Sequence, residues 1–261
     1  MTMSPLKDSK GVEVAGRGEL QIAILAERIR RKGYEVALSP PKVLFKKSET
    51  GQLLEPVEHV TIDVETKYTG FILESLVKRK GVIKRINETE NSTRIEFSCP
   101  TRGLIGFSSS LRHETKGTAV MNRSLESYME FSGQVDRQRK GAMMSMVNGQ
   151  CTSHALSELE NRGNFFVKPN TPVYIGMVIG EAVKNEDLDV NPCRQKAISS
   201  VRTVLKEDNI KLAQAADMTI EEYIAYMDPD EVLEITPKSL RLRKAILNPS
   251  ERRSAKKKSL Y

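Results

Sequence analysis

The sequence predicts an α+β protein in three pieces, and three observations predict it. From Val57 onward, strand-like and helix-like hydrophobic periods alternate in the order β-α-β-β-α-β, the ferredoxin-like order. Ahead of them stands a strand–helix–strand segment with too few elements to close its own core, half of an α/β sandwich. After Gly141 the chain breaks into short apolar runs punctuated by Gly and Pro, the mark of a small β-rich domain. The expected divisions are residues 1–46 for the partial sandwich, 53–132 for the ferredoxin-like domain and 133–261 for the C-terminal domain, which carries a long loop at 191–217 and a basic tail.

Taken in order, residues 1–10 read as disordered, Val12 and Val14 as a short strand, and Gly16-Arg17-Gly18 as a turn. A helix is expected over 19–32, with Leu20, Ala23 and Ile24 on its apolar face. Arg28, Arg30, Arg31 and Lys32 suit the negative end of its dipole, and Gly33 stands where a helix terminates. Residues 34–38 form a second strand before the stiff Pro40-Pro41 junction. This end is expected to be marginal by itself or to pack against the next domain.

In the second piece, Val60, Ile62 and Val64 alternate with Thr61, Asp63 and Glu65, a half-buried strand. Thr69-Gly70 opens a helix that turns Ile72, Leu73, Leu76 and Val77 inward, and strands over 82–86 and 94–98 follow. The stretch Cys99-Pro100-Thr101-Arg102-Gly103-Leu104-Ile105-Gly106-Phe107 comes next. Pro100 ends the strand because it has no N–H for a ladder. Thr101 is placed to cap a helix reaching His113. Gly103 and Gly106 then share one helix face, at a cost of about 1 kcal/mol each relative to alanine, which implies a bare backbone surface open to close approach. Lys116-Gly117 makes a turn, and 118–124 the last strand, extended through 128–131 before a linker at 133–140.

The third piece starts with a strand over 142–147 and a hairpin turn at Asn148-Gly149. A short helix with Ala155, Leu156 and Leu159 closes at Arg162-Gly163, and strands are expected over 164–167, 173–175 and 177–183. Residues 191–217 have no clean period, unusual for a compact domain unless the loop has work to do. Thr219-Ile220-Glu221-Glu222 is a capping box for a helix to Met227, and a hairpin over 232–244 closes the domain.

Composition narrows the function. Lys and Arg number 41 against 34 Asp and Glu, a net charge of +7 that favours a polyanionic partner. Aromatics are only 5% and there is no Trp, so a base-stacking platform is poorly supplied. No apolar run approaches the ~18 residues of a membrane span. Cys99, Cys151 and Cys193 are odd in number and far apart, which argues for a reducing compartment without a disulfide framework. The N-terminus lacks the apolar core of a secretory signal. The nearest approach to a phosphate loop, Gly11 to Gly18, has Arg17 where lysine belongs and Gly18 where the metal ligand belongs, so no GTP binding or hydrolysis is expected of this chain. Cys151-x-x-His154 has half the spacing of a zinc site and no second pair, and reads as a buried thiol beside a structural histidine. Glu221/Glu222 and Asp228/Asp230 read as helix-start and helix-stop residues.

Three cationic groups remain as candidate RNA contacts: Arg102, Arg112 and Lys116 around Gly103 and Gly106; Lys196, Arg202, Lys206 and Lys211 in the aperiodic loop; and Arg252, Arg253, Lys256, Lys257 and Lys258 in the tail. Guanidinium groups and free backbone N–H groups both suit phosphate. The rival reading is a protein-interaction or regulatory module that uses the ferredoxin-like sheet as its surface, without RNA.

The stretch Pro-Thr-Arg-Gly-Leu-Ile-Gly-Phe at 100–107 resembles a signature of the TypA/BipA translational GTPases, in their equivalent of elongation factor G domain V. Residues 13–21 and 30–36 resemble the Gly-x-Gly-Glu-Leu segment closing the domain III equivalent. The resemblance runs to about Lys244 and covers only the C-terminal half of such a protein. It implies a role as a ribosome-docking portion of a translation or ribosome-assembly factor. The partners it implies are the ribosome, ribosomal RNA and A-site tRNA, met as a monomer and without membrane, in the cytoplasm or an organelle matrix. GTP and Mg belong to the parent family, and no cofactor is implied for this chain. The loop at about 194–212 would reach toward the A-site tRNA. There, relatives tend to carry Thr-Asn-(Met/Ile/Val)-Arg-Ala, whereas this chain has Ser199-Ser200-Val201-Arg202-Thr203, keeping the arginine and losing the asparagine.

Overall fold

The computed structural model describes residues 1–6, 11–135, 139–195 and 212–258. It bears out the α+β class. The chain divides into a discontinuous unit, Met1–Pro40 with Arg139–Tyr261, and a ferredoxin-like unit, Pro41–Gln138.

At the start, β1 (Thr2–Pro5) pairs antiparallel with β2 (Val12–Ala15), so residues 2–5 are ordered strand where disorder was expected. The helix α1 (Glu19–Arg31) follows, and Gly33 sits at φ 87, the left-handed conformation that ends it. Its buried side holds Ala23 and Ala26, while Leu20 and Ile24 are exposed, a rotation from the expected face. Next comes β3 (Val36–Leu38).

In the ferredoxin-like unit the elements are β4 (Lys46–Lys47), β5 (Leu53–Glu65), α2 (Thr69–Lys78), β6 (Val82–Glu88), β7 (Ser92–Pro100), α3 (Thr101–Leu104), α4 (Phe107–Glu114) and β8 (Val120–Glu130). β5 lies between β7 and β8, β6 flanks β7, and these pairings are all antiparallel, with β4 added on the start of β5. Register places Val60 opposite Phe97 and Ile62 opposite Ile95, and this face packs against Ile72 and Leu76 of α2, Leu104 of α3, and Phe107 and Leu111 of α4. The other face is polar. There Arg94 donates to both oxygens of Asp63, at 2.6 and 2.9 Å, and Glu126 pairs with Lys84 and accepts from Ser98.

The single helix expected over 101–113 is two helices. Arg79, at the end of α2, donates through Nη1 to Gly103 O (2.6 Å) and Ile105 O (3.3 Å), diverting carbonyls that helix continuation would use. Gly106 then takes φ 72, which a glycine adopts without steric cost. Thr101 caps nothing: Pro100 holds the cap position, and the Thr101 hydroxyl donates to Pro56 O at 3.2 Å.

The discontinuous unit resumes with β9 (Ala142–Ser145), β10 (Gly149–Gln150), α5 (Ser153–Leu159), β11 (Gly163–Phe165), β12 (Pro172–Val173), β13 (Val178–Ala182), β14 (Leu188–Val190), α6 (Ile220–Tyr226), β15 (Glu231–Ile235), β16 (Leu240–Lys244) and α7 (Pro249–Lys258). One sheet runs β11-β13-β9-β14, the last pair parallel. Asn148-Gly149 does not fold β10 back on β9; β10 pairs with β12 instead, and Asn148 Oδ1 accepts from Ile175 N at 2.9 Å. The capping box forms as expected, with Thr219 and Glu222 bonded reciprocally. The β15–β16 hairpin also forms, and it takes β3 as a third strand, with Leu233 opposite Leu38. α1 lies against α6, and Ala23 and Ala26 share a core with Ile220, Tyr223 and Ile224. The N-terminal piece is thus completed by the C-terminal region, with the ferredoxin-like unit inserted between them in sequence. No described helix is long and apolar enough to cross a membrane.

Candidate nucleic-acid interface

The expected cationic groups fare differently. Arg102 is turned inward. Its Nε lies 2.5 Å from Glu55 Oε2, its Nη2 donates to Ser132 Oγ (3.2 Å) and Gly133 O, and its guanidinium lies 4.5 Å from the centre of the Phe131 ring. Glu55 is 1% exposed and also accepts from Ser132 N and Oγ, both at 2.8 Å. Burial alone would raise the Glu55 carboxyl, but the hydrogen bonds from Arg102 and Ser132 hold it below the usual glutamate value. The pair fixes residues 131–133 onto the start of β5. The paired glycines do not share one helix face, because Gly106 falls at the start of α4, and Gly103 offers no bare surface. Gly103 is buried, and a Cβ there would lie 2.6 Å from Arg79 O.

Arg112 and Lys116, by contrast, are exposed and make no ion pair among the described residues. Arg112 stands in the last turn of α4, and Lys116, at φ 52, occupies the turn after it. A backbone hydrogen bond from Gly117 N to Arg112 O (2.8 Å) closes that turn and holds the two cations near each other.

The basic tail, for which no element was expected from a period, forms α7. Arg252 anchors it, reaching Asp189 Oδ1 (2.6 Å) and donating to Leu247 O (2.5 Å). Arg253 touches the other Asp189 oxygen at 3.2 Å but leaves 73% of its side chain exposed. Lys257 is exposed, and Lys256 and Lys258 lie in the same helix. Lys196, Arg202, Lys206 and Lys211 lie outside the described residues.

Sequence reasoning missed the buried charges. Asp228 and Asp230, read as helix-stop residues, join Glu231 in holding two cations. Lys244 Nζ lies 2.8 Å from Asp187, 3.0 Å from Asp230 and 3.1 Å from Glu231, and Arg139 Nη2 lies 2.5 Å from Glu231 and 3.1 Å from Asp228. These carboxylates are tied to one another through the two cations, so their grouping works as an internal clamp. Alternating Asp-x-Asp-Glu opposite an Arg-Lys strand was the available signal. Arg79 is the third, with Phe107 beneath it at 4.9 Å. An open cleft of about 200 Å³ beside β16 has mixed walls, Phe166 and Met177 standing beside Thr171, Ser239 and Arg241, and its Lys168 and Asp217 pair with each other at 2.9 Å. His154 lies 3.6 Å from Glu158, and Cys151 is buried.

Residues 140–249 match the family model described as the TypA/BipA C-terminal domain, and residues 52–153 that of the elongation factor G C-terminus. The chain is 42% identical over 247 residues to the large ribosomal subunit assembly factor BipA of Bacillus subtilis, covering 94% of this chain and 40% of that protein. The proteins of the same name are 38% identical in Synechocystis (88% and 39% covered) and 35% identical in Escherichia coli K12 (95% and 41% covered). The chain thus spans about 40% of the length of the curated relatives it matches. It belongs to the TypA/BipA family, and carries that family's elongation factor G C-terminal domain followed by its own C-terminal domain.

Proposed function

We propose that this chain is the ribosome- and RNA-docking portion of a TypA/BipA-type factor, with no catalytic step of its own. What supports the reading most is its likeness, along nearly the whole chain, to proteins named as large ribosomal subunit assembly factors. In this reading the chain docks as a monomer at the factor-binding site, in the cytoplasm or an organelle matrix. Ribosomal RNA phosphates meet Arg112 and Lys116 on one unit and Arg253 and Lys257 on the other. Residues about 194–212, with Arg202, reach toward A-site tRNA. Arg102 and Arg252 shape the scaffold and leave the contacts to their exposed neighbours. GTP and Mg act in the part of the parent protein that this chain does not include.

The test is co-sedimentation with ribosomes across a salt series. Phosphate contacts make log affinity fall linearly with log salt; a flat response overturns the electrostatic account. Arg202→Ala weakens tRNA-dependent binding more than binding to empty ribosomes, and an equal loss in both removes the loop from tRNA contact.

A further inference from the structure

Two thiols far apart in sequence meet in the discontinuous unit, just before residues 196–211. Cys151 is fully buried and Cys193 half-buried, and both belong to the cluster behind the four-stranded sheet. The residue after Cys151 stitches down the stretch that holds Cys193. Thr152 N donates to Pro192 O at 3.0 Å, and the Thr152 hydroxyl donates to Arg194 O at 2.5 Å. Cys193 is therefore bracketed by two hydrogen bonds to the neighbour of Cys151. On the other side, a Cβ at Gly149 would lie 3.4 Å from Cys193 Cβ and 3.1 Å from its Sγ. Gly149 and Cys151 stand two apart along an extended segment, so their side-chain positions share a face. The missing side chain at Gly149 leaves the Cys193 sulfur room beside Cys151.

We propose that Cys151 and Cys193 are a dithiol that a low-molecular-weight disulfide oxidises to an intramolecular disulfide, tying the start of α5 to Pro192–Arg194. Cys193, the more open thiol, loses its proton and attacks one sulfur of the reagent RSSR; that S–S bond breaks, RS⁻ leaves and Cys193–S–SR forms. The Cys151 thiolate then attacks Cys193 Sγ and expels the second RS⁻. Two protein thiols give up two electrons and two protons, and one RSSR becomes two RSH. Burial pushes both thiols up, Cys151 to about 12, so thiolate is scarce at neutral pH and closure is slow. In a reducing compartment the pair stays open, and oxidation closes it.

The experiment incubates the full chain with glutathione disulfide and follows intact mass and non-reducing peptide maps. The expected product has lost two hydrogens, links the Cys151 and Cys193 peptides and leaves Cys99 free. Its rate of formation rises about tenfold per pH unit between neutrality and pH 9. Cys151→Ser stops at a glutathione adduct on Cys193, and Cys193→Ser leaves Cys151 unmodified. The proposal is overturned if the unaltered chain also stops at the adduct, if no thiol reacts, or if Cys99 enters the link.

Discussion

In the ferredoxin-like unit, Arg79 is 4% exposed and its described partners are carbonyls, a hydroxyl and an aromatic ring; in the discontinuous unit, Arg139 and Lys244 are held among four carboxylates. The consequence is visible in their proton affinities. Burial lowers the Arg79 guanidinium to about 10. Burial would lower Lys244 too, but Glu231, Asp187 and Asp230 outweigh it and raise the ammonium above its ordinary value. Arg139 is raised in the same way, chiefly by Glu231 against the effect of burial. A buried cation can therefore serve as a backbone clamp whose charge costs stability, or as the bridge of an ion-pair network that holds its charge in place. The first stops a helix; the second joins Asp187, Arg139 and the β15–β16 hairpin.

The largest effect expected from this contrast is that of Lys244→Met. It removes the cation that Asp187, Asp230 and Glu231 share, leaving Arg139 alone on Glu231, and should destabilise the discontinuous unit by about 3–5 kcal/mol. Hydrogen exchange read separately on peptides of each unit measures this, and a loss under about 1 kcal/mol would break the comparison. Because the folded pKa of Lys244 is raised, its contribution is fully present below the ordinary lysine pKa. The advantage over the Met variant should shrink as pH rises through the raised value.

Arg79→Met should cost less, about 1–3 kcal/mol in the ferredoxin-like unit, since it orphans the Gly103 and Ile105 carbonyls but also removes an uncompensated charge. A cost equal to that of Lys244→Met would show that the carbonyl clamp is as strong as the carboxylate one. Glu55→Gln should cost roughly 2 kcal/mol at neutral pH, from the loss of charge-assisted hydrogen bonds. The Glu55 carboxyl is depressed in the fold, so its contribution is present above the ordinary glutamate value and fades as pH falls through the depressed one. Urea midpoints of the two forms should converge in acid.

Smallest in stability, within about 0.5 kcal/mol, are Arg112→Ala and Lys116→Ala. Each should instead flatten the salt dependence of ribosome binding by about one unit of slope. Arg102→Ala should do the reverse, lowering stability and leaving the slope alone. If Arg102→Ala flattens the slope while Arg112→Ala does not, inward and outward cations have been assigned the wrong way round.

The ferredoxin-like order was legible because each of its elements announces itself locally, as in Val60-x-Ile62-x-Val64 or the helix carrying Ile72 and Leu76. The pairing of β3 with β15 was not, because nothing in Val36-Ala37-Leu38 names a partner in the other arm of the chain. The face of α1 was misread for a physical reason. Ala23 and Ala26 are the small residues that let α6 approach, so Leu20 and Ile24, more apolar, turn outward. The cap assigned to Thr101 lost to a carbonyl at Pro56, and the unbroken helix lost to a guanidinium from α2, both brought in by tertiary structure. Among site residues, type and clustering found the cations but could not tell Arg102, with Glu55 facing it from 47 positions away, from Arg112.

The discontinuity of the larger unit carries a schedule for the chain's own birth. Arg30 Nε finds its acceptor at Thr236, 206 residues later. The inserted ferredoxin-like unit has every strand it needs soon after it leaves the exit tunnel. The first arm must wait, with the edge of β3 and the alanine side of α1 uncovered, until the last strands are made. Whatever shields that arm during the interval, a holding chaperone or simply speed of synthesis, decides how much of the finished chain is recovered.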